Sequence, residues 1–135
     1  MTIEELISRL EKAKGPDREL DGEIHIACGL AGDSAHTWGP YLRRKMVRPA
    51  YTSSIDAALR LKDKILPGWF WRVGHGSVQP GWAHLNRVHP DHCDPEDVST
   101  GWAASPALAL CVAILRAAYN QTLTDAGGLR SRDEA

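Results

Sequence analysis

The sequence predicts a mixed α/β (α+β) fold in a single small domain. Three observations predict it: apolar residues at helical spacing near the N-terminus, aromatic and β-branched runs in the middle, and a Ser-Pro helix start before a C-terminal segment that is apolar on most sides. At 135 residues the chain has the length of one ordinary domain and can bury a real core. Its 43% hydrophobic and 24% charged content is that of a folded protein, not a disordered one. The net charge of −1 gives no whole-molecule field to gather polyanions, so any such binding has to come from a local patch.

Ile3, Leu6, Ile7 and Leu10 follow helical spacing, and Thr2 with Glu5 forms a capping box. Lys12 and Lys14 suit the negative end of the helix dipole, and Gly15-Pro16 stops the helix. A second helix starts at Pro16 or Asp17 and runs to about Cys28, with Leu20, Ile24, Ala27 and Cys28 on one face and Gly29 closing it. Residues 1–30 thus read as a helical hairpin whose members are too short to stand alone. Between Ala31 and Ala50 periodicity vanishes, and Gly32, Gly39, Pro40 and Pro49 mark a long loop.

The core of the fold is expected over 51–120. Ser53 or Ser54 caps a helix carrying Ile55, Ala58, Leu59, Leu61 and Ile65, which Pro67-Gly68 ends. Trp69 to Gly74 has strand composition. Trp82 to Val88 alternates, with Trp82, His84, Asn86 and Val88 on one side and Ala83, Leu85 and Arg87 on the other. The short link from Gly76 to Gly81 makes the two strands antiparallel neighbours, and GHGS (74–77) is read as part of a hairpin turn rather than a phosphate loop. An irregular loop from His89 to Thr100 leads to a short edge strand at Gly101–Ala103. Ser105 caps the last helix with Pro106 at its first position. Because Leu108, Cys111, Val112 and Leu115 lie on one face and Ala107, Leu110 and Ile114 on the other, this helix is expected between layers. Residues 121–135 are polar, contain Gly127-Gly128, and are expected to fray.

The runs YTSSIDAALRL, PGWFWRV and AASPALALCVAILRA resemble the phage ABA sandwich domain family of small phage and prophage proteins. LISRLEKAKGPDRELDGEI is similar to the helical lead-in of such proteins. The resemblance leaves out 31–50 and most of 89–100, and its residues are those of cores and caps. It implies a layered α-β-α sandwich and a phage origin, hence a bacterial host cytoplasm, and it carries no catalytic residue.

Four constellations bear on function. His89, Asp91, His92, Cys93 and Asp94 are the densest metal-capable set, but adjacent His92 and Cys93 point apart and no second half-site exists, so no metal is assigned. A thiol nucleophile needs a base beside it; Cys93 with His92 or His75 is one such pairing, whereas Cys28 and Cys111 sit on apolar helix faces. The three cysteines, widely spaced and without a CxxC, read as free thiols of a reducing compartment. Glu4-Glu5 and Glu19, Asp21 and Glu23 are expected on exposed helix faces, so no carboxylate pair is assigned. Trp69, Trp71 and Trp82 are expected to form an aromatic patch, most of it core.

The fourth constellation is Trp38 to Tyr51. There Arg43, Arg44, Lys45 and Arg48 are interleaved with Trp38 and Tyr41, so that guanidinium groups meet phosphate while rings stack on a base. The expected function is therefore a non-enzymatic phage accessory protein binding a small, nucleotide-like anion or a host protein, with sequestration of a nucleotide immune signal as its concrete form. The alternatives are a nucleic-acid-binding factor using the same loop and a metal- or thiol-dependent hydrolase using His89–Asp94. No cofactor is expected. No apolar run approaches a bilayer's span and the N-terminus is not patterned as a secretory signal, so no membrane partner is expected. The open edges of a small sheet make a homo-oligomer an expectation as well.

Overall fold

A computed structural model describes residues 1–29 and 49–134, the side chains as far as 121. Its elements are α1 (Ile3–Lys12), α2 (Arg18–Ala27), α3 (Ile55–Ile65), β1 (Phe70–Gly74), β2 (Gly81–Asn86), a 3₁₀ turn (Pro95–Asp97), β3 (Val98–Ala103) and α4 (Pro106–Glu134). Among the described residues, four α-helices and one three-stranded antiparallel sheet of order β1-β2-β3 make the mixed α+β fold that the sequence predicts.

The helix starts follow the local chemistry. Thr2 Oγ1 accepts from the Glu5 amide at 3.1 Å, and Asp17 Oδ1 accepts from the Glu19 and Leu20 amides. Ser54 Oγ, rather than Ser53, accepts from the Ala57 amide, and Ser105 Oγ accepts from the Leu108 amide just ahead of Pro106. Each such cap satisfies an amide that the first helical turn leaves without a partner. Gly29 and Gly68 follow α2 and α3 with φ of 72° and 83°, the left-handed conformation that glycine adopts without penalty.

Helix α4 is the axis of the molecule. Every residue from Ala107 to Leu115 is buried, because the sheet packs on one side of α4 while α1 and α3 pack elsewhere around it. Ala83 and Leu85 of β2 and Ser99 and Gly101 of β3 form the sheet's buried face. Ser99 Oγ donates to the Ala113 carbonyl at 2.8 Å, so a polar residue on the buried face has its partner. Gly101 lies against the backbone of α4: a Cβ there would run into the Ala109 carbonyl oxygen and stand 3.0 Å from the Val112 Cβ. Arg116 joins Glu11 at 2.7 Å and Tyr119 donates to Glu4 at 2.5 Å, fastening α1 along α4.

Two local expectations are corrected. Strand β3 begins at Val98, not at Gly101: Val98 is followed by Ser99 and Thr100, which carry little apolar signal, but the three pair in register with Asn86, Leu85 and His84. Asp21 is not on an exposed face. It is fully buried, where it accepts from Arg18 at 2.7 Å and from the Thr52 amide at 2.7 Å, tying α2 to the turn before α3. The helical backbone of α4 runs as far as Glu134. Among the described residues no helix is long and apolar enough to cross a membrane.

Candidate functional site

Period-two alternation turns the other half of the strand residues away from α4. Register places Arg72, His84 and Thr100 side by side across the three strands, with Trp82 beside Trp102 in the next row. Among the described residues no helix covers this outer face, and Phe70, Arg72 and Trp102 are exposed. The indole of Trp82 closes down over Gly74, where a Cβ would collide with its ring, so the bare glycine gives the tryptophan its seat. The aromatic patch expected of Trp69, Trp71 and Trp82 does not form. Trp69 is buried, while Trp71 lies at the sheet edge on the opposite face from Trp82.

The connection from Arg87 to Asp97 folds against this face and is held by one side chain. Asn86, fully buried, accepts through Oδ1 from the amides of Val88 (2.9 Å) and His89 (3.0 Å). Its Nδ2 donates to the His92 carbonyl at 2.6 Å. Arg87 and Asp97 then close the loop with a charged contact of 2.5 Å, and the Arg87 amide donates to the Asp97 carbonyl. The guanidinium of Arg87, above all, draws the Asp97 carboxyl below its ordinary range, with His92 acting the same way and burial opposing both. His92 Nε2 lies 2.8 Å from Asp97 Oδ2 and 3.1 Å from Asp94 Oδ2.

Sheet and loop together enclose a groove of two adjoining concavities that share Arg72, His84 and Pro90. The first, about 290 Å³, is walled also by Lys62, Phe70 and Trp71. The second, about 380 Å³, reaches Trp82, His92 and Cys93. Lys62 is almost completely buried, and its Nζ donates to the Trp69 carbonyl at 2.7 Å and meets Asp63 at 2.9 Å. Arg72 makes an exposed ion pair with Asp91 at 3.3 Å.

Comparisons with protein-family models, curated proteins and solved structures found no match.

The six residues assigned from sequence to ligand binding, Trp38, Tyr41, Arg43, Arg44, Lys45 and Arg48, lie outside the described residues. Of the histidine–cysteine set, the fold converges His92 and Asp94 and adds Asp97, which sequence reasoning passed over. His89 instead accepts from the Asp91 amide at 3.2 Å, and Cys93 Sγ donates to the Asp91 carbonyl at 3.3 Å while the His92 ring engages carboxylates. Arg72, Lys62 and Asn86 were not singled out either. The alternation that put His84 and Asn86 on one side of a strand was the available signal for them, whereas nothing local marks Arg72 as the neighbour of His84.

The three thiols differ sharply in environment. Burial pushes Cys28 up to about 12 and Cys111 higher still, whereas Cys93 is exposed. Thiolate is the reactive form. Titration of the native protein with an aromatic disulfide at mildly alkaline pH is therefore expected to modify Cys93 promptly, with Cys28 and Cys111 reacting only after unfolding. Equal rates at all three would contradict these environments.

Proposed function

We propose that this protein is a non-enzymatic binding module that takes a small, nucleotide-like anion in the groove on the outer face of its sheet. The observation that carries the reading is the lining of the first concavity: the cations Lys62 and Arg72 stand beside the ring of Phe70, with Trp71 contributing at the sheet edge. A guanidinium binds a phosphate bidentately, and an aromatic face stacks on a base whatever its identity. Arg72 is free to change partners, because its pair with Asp91 joins two largely exposed side chains, and such pairs contribute roughly 0–1 kcal/mol.

A compact anion suits this groove better than a polyanion. Asp91, Asp94 and Glu96 lie on the loop beside it, and a nucleic-acid backbone running out of the groove meets their repulsion. In the phage accessory role that the sequence resemblance suggests, the module sequesters a nucleotide signal of host defence. That Arg43, Arg44, Lys45 and Arg48 bind phosphate is a separate part of the proposal and rests on the sequence alone.

The test is thermal unfolding against a panel of mono-, di- and cyclic nucleotides, in the presence of a chelator. A ligand at 100 times its dissociation constant adds about 2.7 kcal/mol of stability, a readily measured rise in Tm. Arg72→Ala is expected to keep the unliganded Tm within about 2 °C while losing most of the shift, because an exposed surface side chain contributes at most about 0.5 kcal/mol to the free fold. No stabilisation by any nucleotide, or an undiminished shift in Arg72→Ala, overturns the proposal.

A further inference from the structure

We infer that His92, Asp94 and Asp97 form a binding site for a divalent cation of the zinc or manganese class, on the rim of the groove. The site stands on loop geometry and is independent of whether the groove takes a nucleotide.

The distances carry the inference. His92 Nε2, Asp94 Oδ2 and Asp97 Oδ2 all lie within 4.8 Å of one another, with the histidine nitrogen 3.1 and 2.8 Å from the two oxygens. First-row divalent ions bind nitrogen and oxygen at about 2.1 Å, which separates neighbouring ligand atoms by about 3.0 Å in an octahedron and somewhat more in a tetrahedron. Two of the three separations are near these values and the third is within 4.8 Å, so side-chain rotations that turn the lone pairs inward would let the set hold an ion.

The surroundings are built in the manner of a metal site. Asp97 is oriented through its other oxygen, Oδ1, by Arg87, and the backbone carrying His92 is fixed by Asn86. Outer partners of this kind set ligand direction and tune affinity. With His92 neutral, the two carboxylates and Arg87 leave a local charge of about −1, which attracts a cation moderately. One imidazole with two carboxylates favours zinc, manganese or cobalt over calcium, which prefers an all-oxygen shell.

Three protein ligands leave coordination positions for water or an incoming oxygen. Of the three ligands, His92 also lines the second concavity together with Arg72 and His84, which puts the cluster at its rim. A cation here stands next to the cationic wall of the groove, where it would meet the oxygens of a bound phosphate or carboxylate. The acidic loop beside an anion groove then has a purpose, since the ion reverses its charge.

The experiment is titration of the chelator-stripped full chain with Mn²⁺ and Zn²⁺ alone, followed by calorimetry, with Co²⁺ absorption reporting the ligand set. One ion per chain is expected. Asp94→Asn and His92→Gln are expected to weaken it by more than the roughly 10- to 100-fold typical of losing an outer partner. Asp94 is an apt position because its side chain is 66% exposed, so the variant keeps its fold. His89→Gln, three residues away from His92 and outside the set, is expected to bind as the wild type does. Absence of binding at millimolar metal, or equal affinity in wild type and Asp94→Asn, overturns the site. A loss in His89→Gln as large as that in His92→Gln overturns the assignment of ligands. Because the nucleotide panel is run with chelator and this titration without nucleotide, either proposal can fail alone.

Discussion

Replacing Asn86 by leucine is expected to cost about 3 kcal/mol of stability and to abolish ligand binding in the groove in the same step. Asn86 is fully buried, and its amide group makes three hydrogen bonds, all to the backbone of the loop that follows it. Leucine shares the branched shape, though with bulkier methyl groups, and can neither donate nor accept. The amides of Val88 and His89 and the carbonyl of His92 then lose their partner, at about 1–3 kcal/mol for each group that stays buried, less where the loop opens to water. Against a total stability of roughly 5–15 kcal/mol this is a large change. Opening the loop also releases Pro90 and His92, which form one wall of the groove. Urea unfolding and the nucleotide and metal titrations check both halves of the expectation. A variant with a wild-type urea midpoint would show that the loop holds itself without Asn86.

A single added methyl group at Gly101 is expected to do comparable damage, about 3 kcal/mol or more. The new Cβ meets the Ala109 carbonyl oxygen, the Ala113 amide nitrogen and the Val112 Cβ, so β3 and the backbone of α4 have to separate along their length. Overpacking a close-packed interior usually costs about 1–3 kcal/mol, and here the obstacle is backbone that cannot rotate away. Gly15→Ala is the matched control, because nothing lies within 4 Å of a Cβ at Gly15. The measurement is the shift in denaturant midpoint of the two variants at constant slope, which separates lost stability from a changed denatured state. Equal midpoints would mean that the strand and helix are not in the close contact described.

The two variants probe different levels of the structure. Gly101 belongs to the layer contact that makes the domain, and its loss is expected to weaken every element together. Asn86 belongs to the connection that shapes the groove, so its loss is expected to show first in binding and in local opening of the 87–97 segment, measurable by amide exchange.

How legible these features were in the sequence depended on how local their physics is. The caps at Thr2, Asp17, Ser54 and Ser105 were readable because a hydroxyl or carboxylate acts on amides two or three residues away. The burial of α4 was readable because its apolar residues occupy more than one face. Asp21 was misplaced because its partner Thr52 is 31 residues distant, and by itself a lone aspartate on a helix looks solvated. The start of β3 was missed because Ser99 and Thr100 are strand residues by virtue of their pairing with Leu85 and His84, not of their hydrophobicity. In the 89–94 cluster the histidine and one carboxylate were noticed as a group, but Asp97 joins them only through the 3₁₀ turn that brings the chain back.

The sequence by itself determined the elements, their order and which helix is innermost, since periodicity, capping and turn residues act within a few positions and leave a periodic trace. Only the tertiary structure decided that Arg72, Lys62, Phe70 and Trp71 line one concavity, and that ligand atoms of His92, Asp94 and Asp97 lie within 4.8 Å of one another. These groups come from α3, β1 and the loop before β3, and their meeting depends on strand register and on a loop drawn in by one buried asparagine. Register shifts of a single residue would send Arg72 to the opposite face, and nothing in the residues flanking it records which face was chosen.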